Sequence, residues 1–140
     1  MTQAISEATA PSRPRVLVLE DDLRLQQMLS TVLRLEDYDV EGVSTGSQAL
    51  RSVAERRPDL LILDLLVPEL SGYEVMRRLR DDPASSGIPI LLVSSVQDLA
   101  REARSLGADD HLAKPFLVDE LLNKVLPLLN RSQPAHQPAV

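Results

Sequence analysis

The chain contains no cysteine, which excludes disulfides and thiolate metal sites. It has no basic excess: 15 Lys and Arg stand against 21 Asp and Glu, for a formal charge of −6. That sign argues against direct nucleic-acid binding, because phosphate contacts need a basic patch. No apolar run reaches the roughly 18 residues that a membrane helix needs. After Met1, residues 1–14 hold Ile5 as their single large apolar side chain, so the apolar core of a secretory signal is missing. Together these absences predict a soluble, cytoplasmic protein without membrane contact.

What is present fits one domain. The 140 residues are 44% hydrophobic and 26% charged, ordinary values for a globular unit with its own core. Residues 1–14 are rich in Ala, Ser, Thr and Pro, and residues 132–140 read SQPAHQPAV. Neither end has enough apolar surface to offset its ordering entropy, so both are expected to be disordered tails, the second doubling as a linker if another domain follows. The domain is expected over 15–131, and His136 falls in the inert tail.

Within it two patterns alternate. Val16–Leu19, Leu60–Leu63 and Ile90–Val93 are continuous apolar runs, as in strands buried on both faces. Two weaker strands are predicted near Asp39–Val43 and Asp110–Leu112. Each strand precedes a helical pattern. Leu25, Met28, Leu29, Val32 and Leu33 recur at helical spacing behind Asp22, a suitable N-cap. Ala49, Leu50, Val53 and Ala54 mark a second helix. Ser71 and Glu74 have capping-box spacing before a third, which turns Val75, Met76 and Leu79 inward. Residues 97–106 form a fourth helix ended by Gly107. Residues 118–130 form a fifth, which Pro127 should kink or shorten. The pattern predicts an α/β fold: a flavodoxin-like, doubly wound sheet of five parallel strands, order 2-1-3-4-5, with five helices.

Polar residues follow the strands at once. Glu20, Asp21 and Asp22 follow the first, Asp64 the third, Ser94 and Ser95 the fourth, and Lys114 lies just beyond the fifth. In such sheets ligands bind outside the carboxyl ends of the strands. Glu20, Asp21, Asp64, Ser94 and Lys114 should therefore converge on one edge. Three carboxylates repel unless a cation intervenes, and magnesium suits an oxygen site that also meets phosphate. Ser94 could donate to a phosphoryl oxygen and Lys114 could pair with another. The nucleophile's role falls best to Asp64, alone at the end of the central strand.

These residues resemble those of a known family, the receiver domains of two-component response regulators, both single-domain chemotaxis-type regulators and receivers of winged-helix regulators. The resemblance covers roughly residues 14–131. Its motifs are Val16-Leu17-Val18-Leu19-Glu20-Asp21-Asp22; Asp64-x-x-x-Pro68-x-x-Ser71-Gly72; Pro89 through Ser94-Ser95; and Gly107-Ala108-Asp109-Asp110-His111-x-x-Lys114-Pro115-Phe116. It implies that Asp64 is the phosphoacceptor. It implies that Glu20 and Asp21 serve a Mg2+ ion, Asp21 directly, with Asp64 and the backbone carbonyl of Leu66. It further implies that Ser94 is the switch hydroxyl, that Lys114 pairs with the phosphate, and that the Lys114–Pro115 bond is cis.

Three positions depart from the family pattern. Glu20 stands where Asp is commoner, and Val67 stands where Met is usual. His111 stands at the rotating aromatic switch, and as a residue type it titrates near neutrality, so its protonation is expected to bias that switch. The implied partners are a sensor histidine kinase or histidine phosphotransfer protein, and a downstream target or output domain. Gly107 to Asp110 are similar to receivers that pair as phosphorylation-dependent homodimers. The reading is of a phosphorelay signalling domain, not a turnover enzyme.

Rival readings are weaker. A magnesium phosphohydrolase would carry a second carboxylate in an Asp-x-Asp pattern, and Asp64-Leu65-Leu66 has none. A phosphorylation-independent pseudo-receiver would not need the full set of Asp21, Asp64, Ser94 and Lys114. A nucleotide- or flavin-binding fold would place a Gly-rich loop after the first strand, where Glu20 to Asp22 stand. Ser95 and Tyr73 read as packing residues, Asp109 and Asp110 as turn or surface-pairing residues, and Arg77, Arg78 and Arg80 as a solvated face.

Overall fold

The structure, a computed structural model, describes residues 12–132. Most of both expected tails lies outside the described residues. Five strands, β1 (Arg15–Leu19), β2 (Asp39–Val43), β3 (Leu60–Leu63), β4 (Ile90–Ser94) and β5 (Asp110–Ala113), alternate with five helices. The helices are α1 (Leu23–Leu35), α2 (Gly46–Glu55), α3 (Gly72–Asp81), α4 (Leu99–Leu106) and α5 (Val118–Ser132). All neighbouring strands are parallel, in the order β2-β1-β3-β4-β5.

The continuous apolar runs divide between two faces by the period-2 pleat. Leu17, Leu19, Leu61, Leu63, Ile90 and Leu92 pack with Ala49 of α2, with Val75, Met76 and Leu79 of α3, and with Leu99 and Ala103 of α4. Val16, Val18, Leu60, Ile62, Leu91 and Val93 pack with Leu29 and Leu33 of α1 and with Leu121, Val125, Leu128 and Leu129 of α5. Each buried Val, Leu, Ile or Met side chain among them contributes roughly 1.5–3 kcal/mol. The rigid sheet that results holds the loops at its carboxyl edge in place.

Local chemistry sets the helix starts. Asp22 caps α1, its side chain accepting from the backbone N–H groups of Arg24 and Leu25. Thr45 and Gln48 form a full capping box on α2, a pattern legible in Thr45-x-x-Gln48 but not singled out above. At α3, Ser71 accepts from the Glu74 N–H. The Glu74 carboxylate turns to Arg77 and Arg78 instead of completing a box.

Two expectations need correction. The fourth helix begins at Leu99 because Asp98 holds a left-handed conformation, φ 55°, and its side chain caps nothing. Pro127 does not shorten the last helix, which runs on to Ser132 rather than stopping at 130. The proline removes one donor and crowds the carbonyl of Asn123. Burial of Val125, Leu128 and Leu129 on the inner face outweighs that local cost.

Candidate functional site

Backbone ladders carry Glu20 and Asp64 to the carboxyl edge. The Glu20 N–H donates to Val43 O at 3.0 Å, and the Asp64 N–H donates to Leu19 O at 3.0 Å. On the other side, Ser94 pairs with Ala113 in the β4–β5 register, and the Lys114 N–H donates to Ser94 O at 3.0 Å. Glu20, Asp64, Ser94 and Lys114 are thus extensions of a rigid sheet rather than loop tips.

The side chains then meet. Lys114 Nζ lies 2.7 Å from Asp64 Oδ2 and 2.7 Å from Glu20 Oε1. The remaining Asp64 oxygen accepts from the Leu66 N–H at 3.0 Å, and the remaining Glu20 oxygen accepts from the Asp22 N–H at 3.1 Å. Glu20, Asp21 and Asp64 each offer an oxygen within 4.8 Å of the others. Glu20 and Asp64 are buried, whereas Asp21 is exposed.

Electrostatics follow from that crowding. Burial pushes the Glu20 carboxyl above the usual carboxylate range, against the opposing pull of the Lys114 hydrogen bond. Burial would lower Lys114, but its hydrogen bonds to Asp64 and Glu20 prevail and hold it above the ordinary lysine value. One ammonium against three carboxylates leaves the cluster short of positive charge. An all-oxygen set of this kind, open to solvent on the Asp21 side, fits a magnesium ion.

Ser94 is fully buried, and its Oγ is the one buried side-chain polar atom without a hydrogen-bond partner among the described residues. Leaving such a group unsatisfied costs roughly 1–3 kcal/mol, so it calls for an explanation. The Lys114–Pro115 bond is cis. His111 lies outside the acidic cluster, half-buried on β5 opposite Leu92, with Nδ1 3.9 Å from Asp110 Oδ1. The Leu66 side chain is exposed while its N–H faces Asp64.

Two residues around the site add support: Gly72, which stands in the motif, and Glu69, which the motif does not single out. A Cβ on Gly72 would lie 2.4 Å from Asp64 O and 2.6 Å from Leu65 Cα, so only glycine lets α3 approach the loop that carries Asp64. Glu69 bonds the Ser47 N–H and Oγ at the start of α2, tying the β3–α3 loop down.

Two residues differ from their reading in the sequence. Arg80 is not part of a solvated face: it donates to Gly107 O, Ser86 O and Ile88 O and pairs with Asp109. Ser95 is exposed rather than packed, and with Leu25, Met28, Lys114 and Phe116 it lines an open groove of about 620 Å³. Tyr73 is half-buried against the core, and Asp109 and Asp110 do form surface pairs, with Arg131 and Lys124.

Residues 16–126 match the family model described as the response regulator receiver domain. The chain belongs to this family. The receiver is 43% identical over 123 residues to the DNA-binding response regulator MtrA of Mycolicibacterium smegmatis, covering 86% of this chain and 53% of that protein. It thus spans about half the length of that curated relative. A response regulator from Chloroflexus aurantiacus superposes with a TM-score of 0.80 at 34% identity, over 86% of this chain and all of that one. The receiver domain of the sensor histidine kinase PA1611 of Pseudomonas aeruginosa superposes with a TM-score of 0.78 at 29% identity, over 85% of this chain and 99% of that one. That structure carries a magnesium ion coordinated in its active-site cleft. Receiver domains of response regulators are signalling domains of two-component phosphorelays, and they bind Mg2+ at an acidic pocket. Among the described residues, no helix of this receiver is long and apolar enough to cross a membrane.

Proposed function

We propose that Asp64 accepts a phosphoryl group from the phosphohistidine of a sensor kinase or phosphotransfer protein. The supporting observation is a buried Asp64 carboxylate held 2.7 Å from Lys114 Nζ, at a sheet edge where the Ser94 hydroxyl has no partner among the described residues. An Asp64 oxygen attacks phosphorus, and the bond from phosphorus to the donor imidazole nitrogen breaks. The imidazole leaves with that electron pair and takes a proton from solvent. Lys114 hands its hydrogen bond from the carboxylate to a phosphoryl oxygen. Glu20, Asp21, Asp64 and the Leu66 carbonyl would hold Mg2+, which when bound offsets charge on the incoming group.

Ser94 then gains the partner it lacks by donating to a phosphoryl oxygen. Its movement carries the β4–α4 segment, and His111, on the next strand, is the second switch position. The surface of α4, β5 and α5 changes its preference for a downstream target, an output domain or a second phosphorylated copy. Such a cycle belongs in the cytoplasm and needs no rapid turnover, so the domain is not a conventional enzyme.

Beryllofluoride, a phosphoryl mimic, tests this reading. Fluorine NMR should show a bound signal with wild-type protein and Mg2+ and none with Asp64→Asn. An equal signal from both proteins would overturn it.

A further inference from the structure

Gln26 of α1 reaches across two strand ends. Its Nε2 donates to Glu20 O at 2.8 Å and Val43 O at 3.0 Å, and lies 3.2 Å from Ser44 Oγ. Val43 O also accepts from the Glu20 N–H. The Glu20 backbone is therefore engaged on both sides, its N–H by β2 and its carbonyl by Gln26. That carbonyl shares one planar unit with the Asp21 nitrogen, so fixing it fixes the plane from which Asp21 departs. Among the described residues no side chain holds the Asp21 carboxylate by a hydrogen bond. Its direction is left to the backbone.

Gly42 supplies an independent observation. A Cβ there would lie 2.4 Å from Gln26 Oε1, 2.7 Å from its Cδ and 2.9 Å from its Cγ. Gly42 has no positive φ, a feature that Gly107 alone shows among the described glycines. Its missing side chain is needed for space, and the space is filled by the Gln26 amide.

We infer that Gln26 is a positioning residue for the metal site: seated on Gly42, it fixes the Glu20–Asp21 peptide so that Asp21 completes the oxygen set with Glu20 and Asp64. The inference rests on the reading that this cluster holds Mg2+. Gln26 touches neither the ion nor the reacting atoms and acts only through that peptide.

Calorimetric titration with Mg2+ on the whole chain, together with melting in EDTA, tests it. Gln26→Met keeps length and loses the donor. It should weaken Mg2+ about tenfold, the lower end for groups that orient metal ligands. Gly42→Ala displaces the same amide without removing it and should give a similar loss. The double variant should lose little more than either single one, because both act on one contact. Saturating Mg2+ should restore full beryllofluoride binding in every variant.

A Mg2+ affinity within about twofold of wild type for both single variants would reduce Gln26 to a tie between α1 and the sheet. Additive losses, or beryllofluoride binding that excess Mg2+ does not restore, would also overturn the inference. Failure of the wild-type protein itself to bind Mg2+ would remove the underlying reading and this inference with it.

Discussion

Glu20 and Lys114, which follow the non-adjacent strands β1 and β5, meet at 2.7 Å. The ammonium reaches over the ends of β3 and β4 and touches Asp64 on the way. It is therefore the counter-charge for two buried carboxylates at once. Replacing Lys114 with Met should strand both. Breaking a buried pair costs roughly 3–5 kcal/mol, and about 2 kcal/mol is expected here because solvent still reaches part of the lysine. Urea denaturation in EDTA measures the loss, and added Mg2+ should recover much of it by supplying the missing charge.

The raised Glu20 carboxyl sets a pH dependence. The folded chain binds this proton more tightly than the unfolded chain, whose value is near the ordinary 4.5. The stability contribution is complete below that value and is lost as pH rises through the higher folded one. In EDTA, the difference in unfolding free energy between wild type and Glu20→Gln should shift against wild type across that window. Mg2+ favours the charged carboxylate and should flatten the difference. A difference independent of pH in EDTA would show that burial of Glu20 carries no such cost.

Ser94→Ala removes a buried hydroxyl that has no partner among the described residues. The unphosphorylated protein should gain about 1 kcal/mol, the low end of the penalty for an unsatisfied buried group. Asp64 should still be modified, but the modification should no longer change binding at the α4–β5–α5 surface. Paired melting and phosphorylation assays separate the two effects.

Gly72→Ala should destabilise by about 2 kcal/mol, since the new methyl would press on the Asp64 carbonyl. Because the displaced backbone carries Asp64, Mg2+ affinity should fall in the same variant. A thermal melt and a Mg2+ titration measure the two losses separately.

The centre of the sheet was legible because β1, β3 and β4 are continuous apolar runs with polar residues at their ends, whereas β2 and β5 carry polar residues within the strand and gave a weaker signal. Leu60–Leu63 followed at once by Asp64 needs no tertiary information to interpret. Asp22 and Ser71 were legible as caps because capping is local. What stayed hidden depends on contacts distant in sequence. Arg80 reads as one arginine among three, and only the fold shows it bonded to Gly107, 27 residues away. Pro127 reads as a kink or an early stop, since the burial of Leu128 and Leu129 that carries the helix on to Ser132 is not visible locally. The site's donor set followed from residue types at strand ends. Its supports, Gln26 over Gly42 and Glu69 on Ser47, did not, because amide and glycine spacing carry no periodic signal.

The most direct measurement is peptide mapping by mass spectrometry after incubation with acetyl phosphate. The expected result is one phosphoryl group, on the peptide containing Asp64, formed with Mg2+ and absent in EDTA or in Asp64→Asn. Modification at another residue, or at Asp64 without any divalent cation, would contradict the central claim.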